Sequence, residues 1–325
     1  MIRVLWDRTI CMCLDFTIYV CVLISLPRVE CSYTNTNNDH RRLQEANRSN
    51  MALISPQLTS SYIHVPNEQP CLGKTAGQLF NERANNNPAK EMYVFYADKE
   101  RKTYKQMQDE SRQFARGLLK LGLKKGDTLG IWGGNHYEWL LAYLASFQIG
   151  VITVGSEWEW GEFVEVVHMR MDFPLSIQQN TIKKLGIKVI VLMRSPADLC
   201  DKACQVIPEL AVNSAENLNC QGTPSLRYVI NAGKKCSGAY SLVDFMELGK
   251  AVDESDFLKA CDLVDFDDPL AVFFTSISRF ALTMSFGGVT AQDGVFIPII
   301  YTATTIIPGP TFDAQILASA IHDEK

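Results

Sequence analysis

Apolar side chains recur at three- and four-residue spacing in some stretches and in short unbroken runs in others, and the two patterns alternate along most of the chain. In Thr75–Asn87, Leu79, Phe80 and Arg83-Ala84 are spaced for one buried face, which predicts a helix with Pro88 just beyond its end. Met92–Tyr96 (MYVFY) follows as a strand. Thr103 opens the most regular helix: Tyr104, Met107, Ser111, Phe114, Ala115 and Leu118 form one stripe, and Thr103 with Gln106 makes a capping box. Gly122 suits a left-handed cap, and Gly126-Asp127 turns the chain into a strand over Thr128–Trp132. The unit then repeats. Asn135 is the expected cap of the next helix, with Glu138 three residues on and Trp139, Leu140, Tyr143, Leu144 and Phe147 as its apolar stripe. Gly150 ends that helix, and Val151–Val154 is a β-branched run suited to a strand buried on both faces.

Further strands are predicted at Ile187–Leu192, Leu226–Ile230, Leu270–Thr275 and Thr304–Ile307. Helical stretches separate most of them, including Ser241–Leu248 and a terminal helix over Phe312–Asp323. Strands alternating with helices imply βαβ crossovers, hence an α/β fold with a mostly parallel sheet flanked by helices. Glu157–Leu175 breaks the rhythm, with Trp158 and Trp160 set between acids and no clean period.

The N-terminal residues read differently. Segment 9–26 is apolar apart from Asp15 and three hydroxyl residues, but its uninterrupted part, Phe16–Leu26, is eleven residues, signal-peptide length and short of the ~20 that span a bilayer. Arg3 and Arg8 supply a positive start, whereas Asp7, Asp15 and Glu30 are out of keeping with an organelle presequence. Residues 1–31 are therefore expected to be a signal-like or targeting leader, with segment 9–26 a candidate for membrane association. Residues 32–60 form a polar linker carrying the sequon Asn47-Arg48-Ser49.

Composition narrows the classes. An apolar content of 47% over 325 residues can fill one large or two ordinary domains. A charged content of 21% with a net charge of −5 excludes a largely disordered chain and offers no field for a nucleic-acid backbone. Ten cysteines are too sparse for a disulfide scaffold, and the six outside the leader read as ordinary reduced thiols. Cys200 and Cys204 fall at i, i+4, but with no second pair they do not make a zinc motif, and the five histidines are scattered. Glu157 and Glu159 read as a strand or surface turn rather than an acid/base pair. Gly130-Ile-Trp-Gly133-Gly134-Asn135 joins a strand to a helix start, where phosphates often bind, yet it lacks the G-x-G-x-x-G spacing and a downstream acidic reader. A tight turn explains these glycines, and a dinucleotide-dependent oxidoreductase is excluded. No nucleophile elbow, P-loop or kinase signature is present.

Residues Ser61–Val154 resemble the opening of an AMP-forming acyl-CoA ligase of the mitochondrial medium-chain type. The matching text is SYIHVPNEQPCLGKTAGQLF, then FARGLLKLGLKKGDTLGIWGGNHYEWLLAYLASFQIGVITV. The resemblance resumes in KKLGIKVIVL (Lys183–Leu192), RYVI, SLVDFMELG, DPLAVFFTS (Asp268–Ser276) and the stretch from SFGG to the last residue. It implies a partial AMP-binding domain over 61–325, and a reaction in which a fatty acid carboxylate attacks Mg·ATP to give an acyl-adenylate before the thiol of CoA displaces AMP. It places Thr275 and Ser276 at the remnant of the glycine-rich ATP loop, and Met284, Ser285, Phe286, Gly287 and Gly288 at the acyl pocket. The departures are equally specific. Where the family carries T-S-G-T-T-G-x-P-K-G, this chain reads Thr275-Ser276-Ile277-Ser278-Arg279-Phe280, and Met284 stands where the family has histidine. The sequence also stops before the family's T-G-D motif and C-terminal lid. The expectation is a chain of ligase descent that does not catalyse, with no catalytic residue or metal ligand to assign, or a binding protein that kept the N-terminal part of the fold. The resemblance points to the mitochondrion, and the leader to the secretory pathway.

Overall fold

The computed structural model describes residues 4–5, 9–12, 20–23, 73–155, 175–194, 199–272, 292–307, 319 and 323. Three short N-terminal strands, β1 (Val4–Leu5), β2 (Thr9–Met12) and β3 (Val20–Leu23), come first. Helix α1 (Ala76–Asn86) follows, then the hairpin β4 (Glu91–Phe95) and β5 (Glu100–Thr103) and the long helix α2 (Tyr104–Lys120). Both helices start on the reciprocal cap their sequences encode. Thr75 accepts from the Gln78 amide and Thr103 from the Gln106 amide, while each glutamine side chain accepts from its cap residue's own N–H. Gly122, past the end of α2, has φ +81°, the left-handed conformation expected of it.

Next come β6 (Thr128–Trp132), α3 (Tyr137–Gln148), β7 (Ile152–Gly155), α4 (Leu175–Leu185), β8 (Val189–Leu192), α5 (Leu199–Val206) and β9 (Tyr228–Asn231). Strand β10 (Tyr240–Ser241), α6 (Leu242–Lys250), α7 (Glu254–Asp262), β11 (Ala271–Val272), α8 (Gln292–Tyr301) and β12 (Thr305–Ile307) complete the elements. The main sheet runs β1-β2-β3-β11-β7-β6-β8-β9-β10 and is parallel from β3 to β10, with β1–β2 and β2–β3 antiparallel. A small sheet pairs β12 parallel to β4 and β4 antiparallel to β5. The α/β class and the mostly parallel sheet are as the alternating pattern predicts.

Burial explains the order. Every residue of α3 is buried, because the helix lies against β6 and β7 on one side and α1 and α2 on the other. The sequence stripe is therefore only the most apolar part of a helix that is covered all round. On the outer layer, α6 packs on α2 through Phe245 and Phe114, whose rings meet edge to face at 4.7 Å between centroids. Helix α8 is pinned at its C-terminal end: Tyr104 Oη donates to the carbonyls of Pro298 and Ala303 at 2.6 and 2.8 Å, and Arg83 donates to those of Ile299 and Ile300. Those of Pro298, Ile299 and Ile300 are among the last four carbonyls, which a helix end leaves without intrahelical partners.

Two expectations are corrected. Helix α3 is capped by His136, with no side-chain cap hydrogen bond, and not by Asn135; the Glu138 carboxylate turns toward Arg194 instead of back to the cap. The body cysteines are not all reduced: Cys200 and Cys236 form a disulfide with 5.9 Å between Cα atoms, because the β9–β10 loop returns over the first turn of α5. Linker 32–60, the Trp-rich stretch up to Pro174 and the greater part of the terminal helix lie outside the described residues. Among the described residues, no helix is long and apolar enough to cross a membrane.

Candidate functional site at the carboxyl edge of the sheet

Parallel pairing brings the C-terminal ends of β11, β7, β6, β8 and β9 to one edge. From β6 the chain passes through α3 to β7 on one side, whereas from β8 it passes through α5 to β9 on the other. The topological switch point, where open α/β sheets bind ligands, therefore lies beyond the ends of β6 and β8. Its residues are the Gly133–His136 turn, Met193 and Arg194.

The turn is held tightly. Gly133 has φ +138°, and a Cβ there would fall 2.4 Å from Met193 Cβ, so only glycine fits. The glycine backs onto protein and leaves no cradle for a phosphate. Just beyond it, His136 Nδ1 lies 3.1 Å from Asp98 Oδ2 in the β4–β5 turn. Arg194 reaches Glu100 at 2.6 Å, Glu138 at 3.1 Å and Asp98 at 3.8 Å. Lys102 continues the network, pairing with Glu110 at 2.9 Å and Glu100 at 3.4 Å, and it stands 4.1 Å above the Tyr137 ring. Tyr137 Oη donates to the Glu110 carboxylate.

Burial sets the electrostatics. His136 and Glu138 are 6% and 5% exposed. Burial pushes the His136 imidazole below its usual range, against the pull of Asp98, so the ring is neutral at pH 7. Burial likewise raises the Glu138 carboxyl, opposed by Arg194. For Arg194 itself burial works against the charge, but the Glu100 hydrogen bond and the nearby Glu138 and Asp98 outweigh it and raise its pKa. Four carboxylates thus share two permanent cations. The network ties the β4–β5 hairpin to the sheet, and no cation in it is left over for a nucleotide phosphate. The described switch-point network therefore offers no uncommitted cation to an ATP phosphate.

The resemblance-based site residues, Thr275, Ser276, Met284, Ser285, Phe286, Gly287 and Gly288, all lie outside the described residues. Thr275 follows the last residue of β11 by three positions, and β11 pairs with β7 with its C-terminal end at the carboxyl edge. Sequence reasoning missed Asp98, His136, Glu138 and Arg194 as a group. The only local signal is His136 and Glu138 straddling a helix start.

The family described as AMP-binding enzyme matches residues 80–278, from α1 to just past β11. The chain belongs to this family. Its relatives sharpen the assignment. The medium-chain acyl-CoA ligase ACSF2, mitochondrial, of Danio rerio is 28% identical over 223 residues, covering 68% of this chain and 35% of that protein. The Homo sapiens protein of the same name is 29% identical over 219 residues, covering 66% of this chain and 34% of that one. The chain spans about a third of the length of these relatives. Family match and ligase relatives together place it among the AMP-forming acyl-CoA synthetases. The fold agrees. The N-terminal domain of FACL13 from Mycobacterium tuberculosis superposes with a TM-score of 0.55 at 18% identity, covering 77% of this chain and 61% of that one. The luciferase-like enzyme of the Zophobas morio mealworm gives 0.55 at 12% identity, covering 81% and 60%.

Proposed function

We propose that this chain descends from medium-chain fatty acid–CoA ligases and lacks adenylating activity as its sequence stands. In the parent reaction a carboxylate oxygen attacks the α-phosphorus of Mg·ATP and pyrophosphate leaves. The CoA sulfur then attacks the acyl carbon and AMP leaves. The protein's contribution to such a step is positioning and stabilisation of charge on the phosphate oxygens by fixed N–H groups and cations. The observation that carries the reading is internal to the chain: after Thr275-Ser276 the sequence runs Ile277-Ser278-Arg279-Phe280, without the glycines and lysine that cradle pyrophosphate. The family match also ends at residue 278. Arg279 supplies one cation, and the sequence has no glycine from Ile277 to Phe286 of the kind that lets backbone amides nest around an anion. The switch point gives no substitute, since its Arg194 is committed to three carboxylates.

The test is ATP–pyrophosphate exchange with octanoate on the purified full chain. The expected result is exchange at the no-enzyme level, with or without CoA, and exchange above that level overturns the proposal. The mitochondrion is the compartment proposed, on the name its relatives carry.

A further inference from the structure

The three cysteines around α5 form a cluster that the ligase reading does not use. Cys200 and Cys204 stand one turn apart on α5, and Cys236 comes from the β9–β10 loop. Their sulfur atoms all lie within 4.8 Å of one another. The Cys200–Cys236 disulfide accounts for two of them, and the third belongs to Cys204 on the same helix face. Three sulfurs about 2.3 Å from one tetrahedral cation sit about 3.8 Å apart, a spacing this triangle accommodates once the disulfide is reduced. The donor set contains neither carboxylate nor imidazole, which selects a soft cation. Cys236 is buried and forms the floor, while Cys200 and Cys204 are half-buried, leaving one side open for water as a fourth ligand. Three thiolates around a divalent cation carry one net negative charge. Two other thiols, Cys220 and Cys261, are poor competitors: burial pushes Cys220 up to about 11 and Cys261 up to about 12.

We propose that Cys200, Cys204 and Cys236 form a redox-gated site for a thiophilic divalent cation such as Zn2+, open when all three are thiols and closed by the Cys200–Cys236 disulfide. The closing oxidant is a small-molecule disulfide. The Cys200 or Cys236 thiolate displaces one thiol from it, and the other protein thiolate then displaces the second. One disulfide breaks, one forms, and the cation is released.

The experiment uses the full chain, reduced with a phosphine under argon and freed of metal, then titrated with Zn2+ against a chromophoric chelator. Wild type is expected to bind one Zn2+ per chain beyond that of the Cys200→Ser/Cys204→Ser/Cys236→Ser variant, and to lose it on oxidation by a small-molecule disulfide. Cys204→Ser keeps the disulfide pair, and so the tie between α5 and the loop. It is expected to weaken binding at least about a hundredfold, more than losing an outer-shell partner does. Reduced wild type binding no more Zn2+ than the triple variant overturns the proposal, as does Cys204→Ser binding like wild type. If the triple variant does not fold, the sulfur-to-metal charge-transfer band of bound Co2+ decides, through its loss or retention in Cys204→Ser.

Discussion

His136 shows how a single side chain acquires a role its neighbours in sequence do not announce. Buried against Asp98, it stays neutral in the folded chain to a pH below the 6.5 at which an unfolded histidine takes its proton. On acidification the unfolded chain binds that proton first, so stability falls between pH 6.5 and the lower folded value. Glu138 acts with the opposite sign, because its folded carboxyl is protonated above the unfolded value of 4.5, and falling pH through that window stabilises. From pH 7 down to about 5.5 the thermal midpoint of His136→Gln should therefore fall less steeply than that of wild type, or rise more. Equal slopes would remove His136 from the account. Gly133 makes a related point: glycine is required there by the Met193 side chain pressed against it.

Among the elements, α1, α2 and β6 form where their sequences predict, with the caps at Thr75 and Thr103 in place. These depend on contacts within one turn, and local pattern captures them. Helices α4 and α7 and the three short N-terminal strands have no counterpart in the sequence reading, and α5 is read there only as a possible helix around Cys200 and Cys204. Helices α5 and α7 are short, with eight and nine residues, and too few periodic positions separate helix from turn. Packing of α6 on α2 is likewise invisible in either sequence alone. Phe245 is fully buried, and its ring lies over Gly117, where a Cβ would come within 2.6 Å. Replacing it leaves a cavity between two helices, and Gly117 has no side chain to fill it. Phe245→Ala is expected to lower stability by about 3–5 kcal/mol, read from the denaturant midpoint. A loss under about 1 kcal/mol would mean that the two helices repack and that this contact does not fix α6.

For the whole molecule, strand order decides what the site can be. Placing β8 beside β6 opens a switch point, and the β4–β5 hairpin then closes it with acids that neutralise Arg194. The compartment is a property of the same scale. With the mitochondrion proposed, the tagged full chain should co-fractionate with mitochondria, and its Asn47 sequon should remain unmodified. A glycosidase-sensitive mass shift at Asn47 would place the chain in the secretory pathway instead.

By itself the sequence determined the α/β class, the caps and apolar faces of α1 and α2, and the family. Each is carried by residues within a turn, a strand or a contiguous motif of one another. Only the tertiary structure decided that His136 meets Asp98 across 38 residues, that Arg194 meets Glu100 across 94, and that Cys236 joins Cys200 across 36. Those meetings follow from which strand lies beside which, and strand order is fixed by burial of the whole sheet, which no local spacing records.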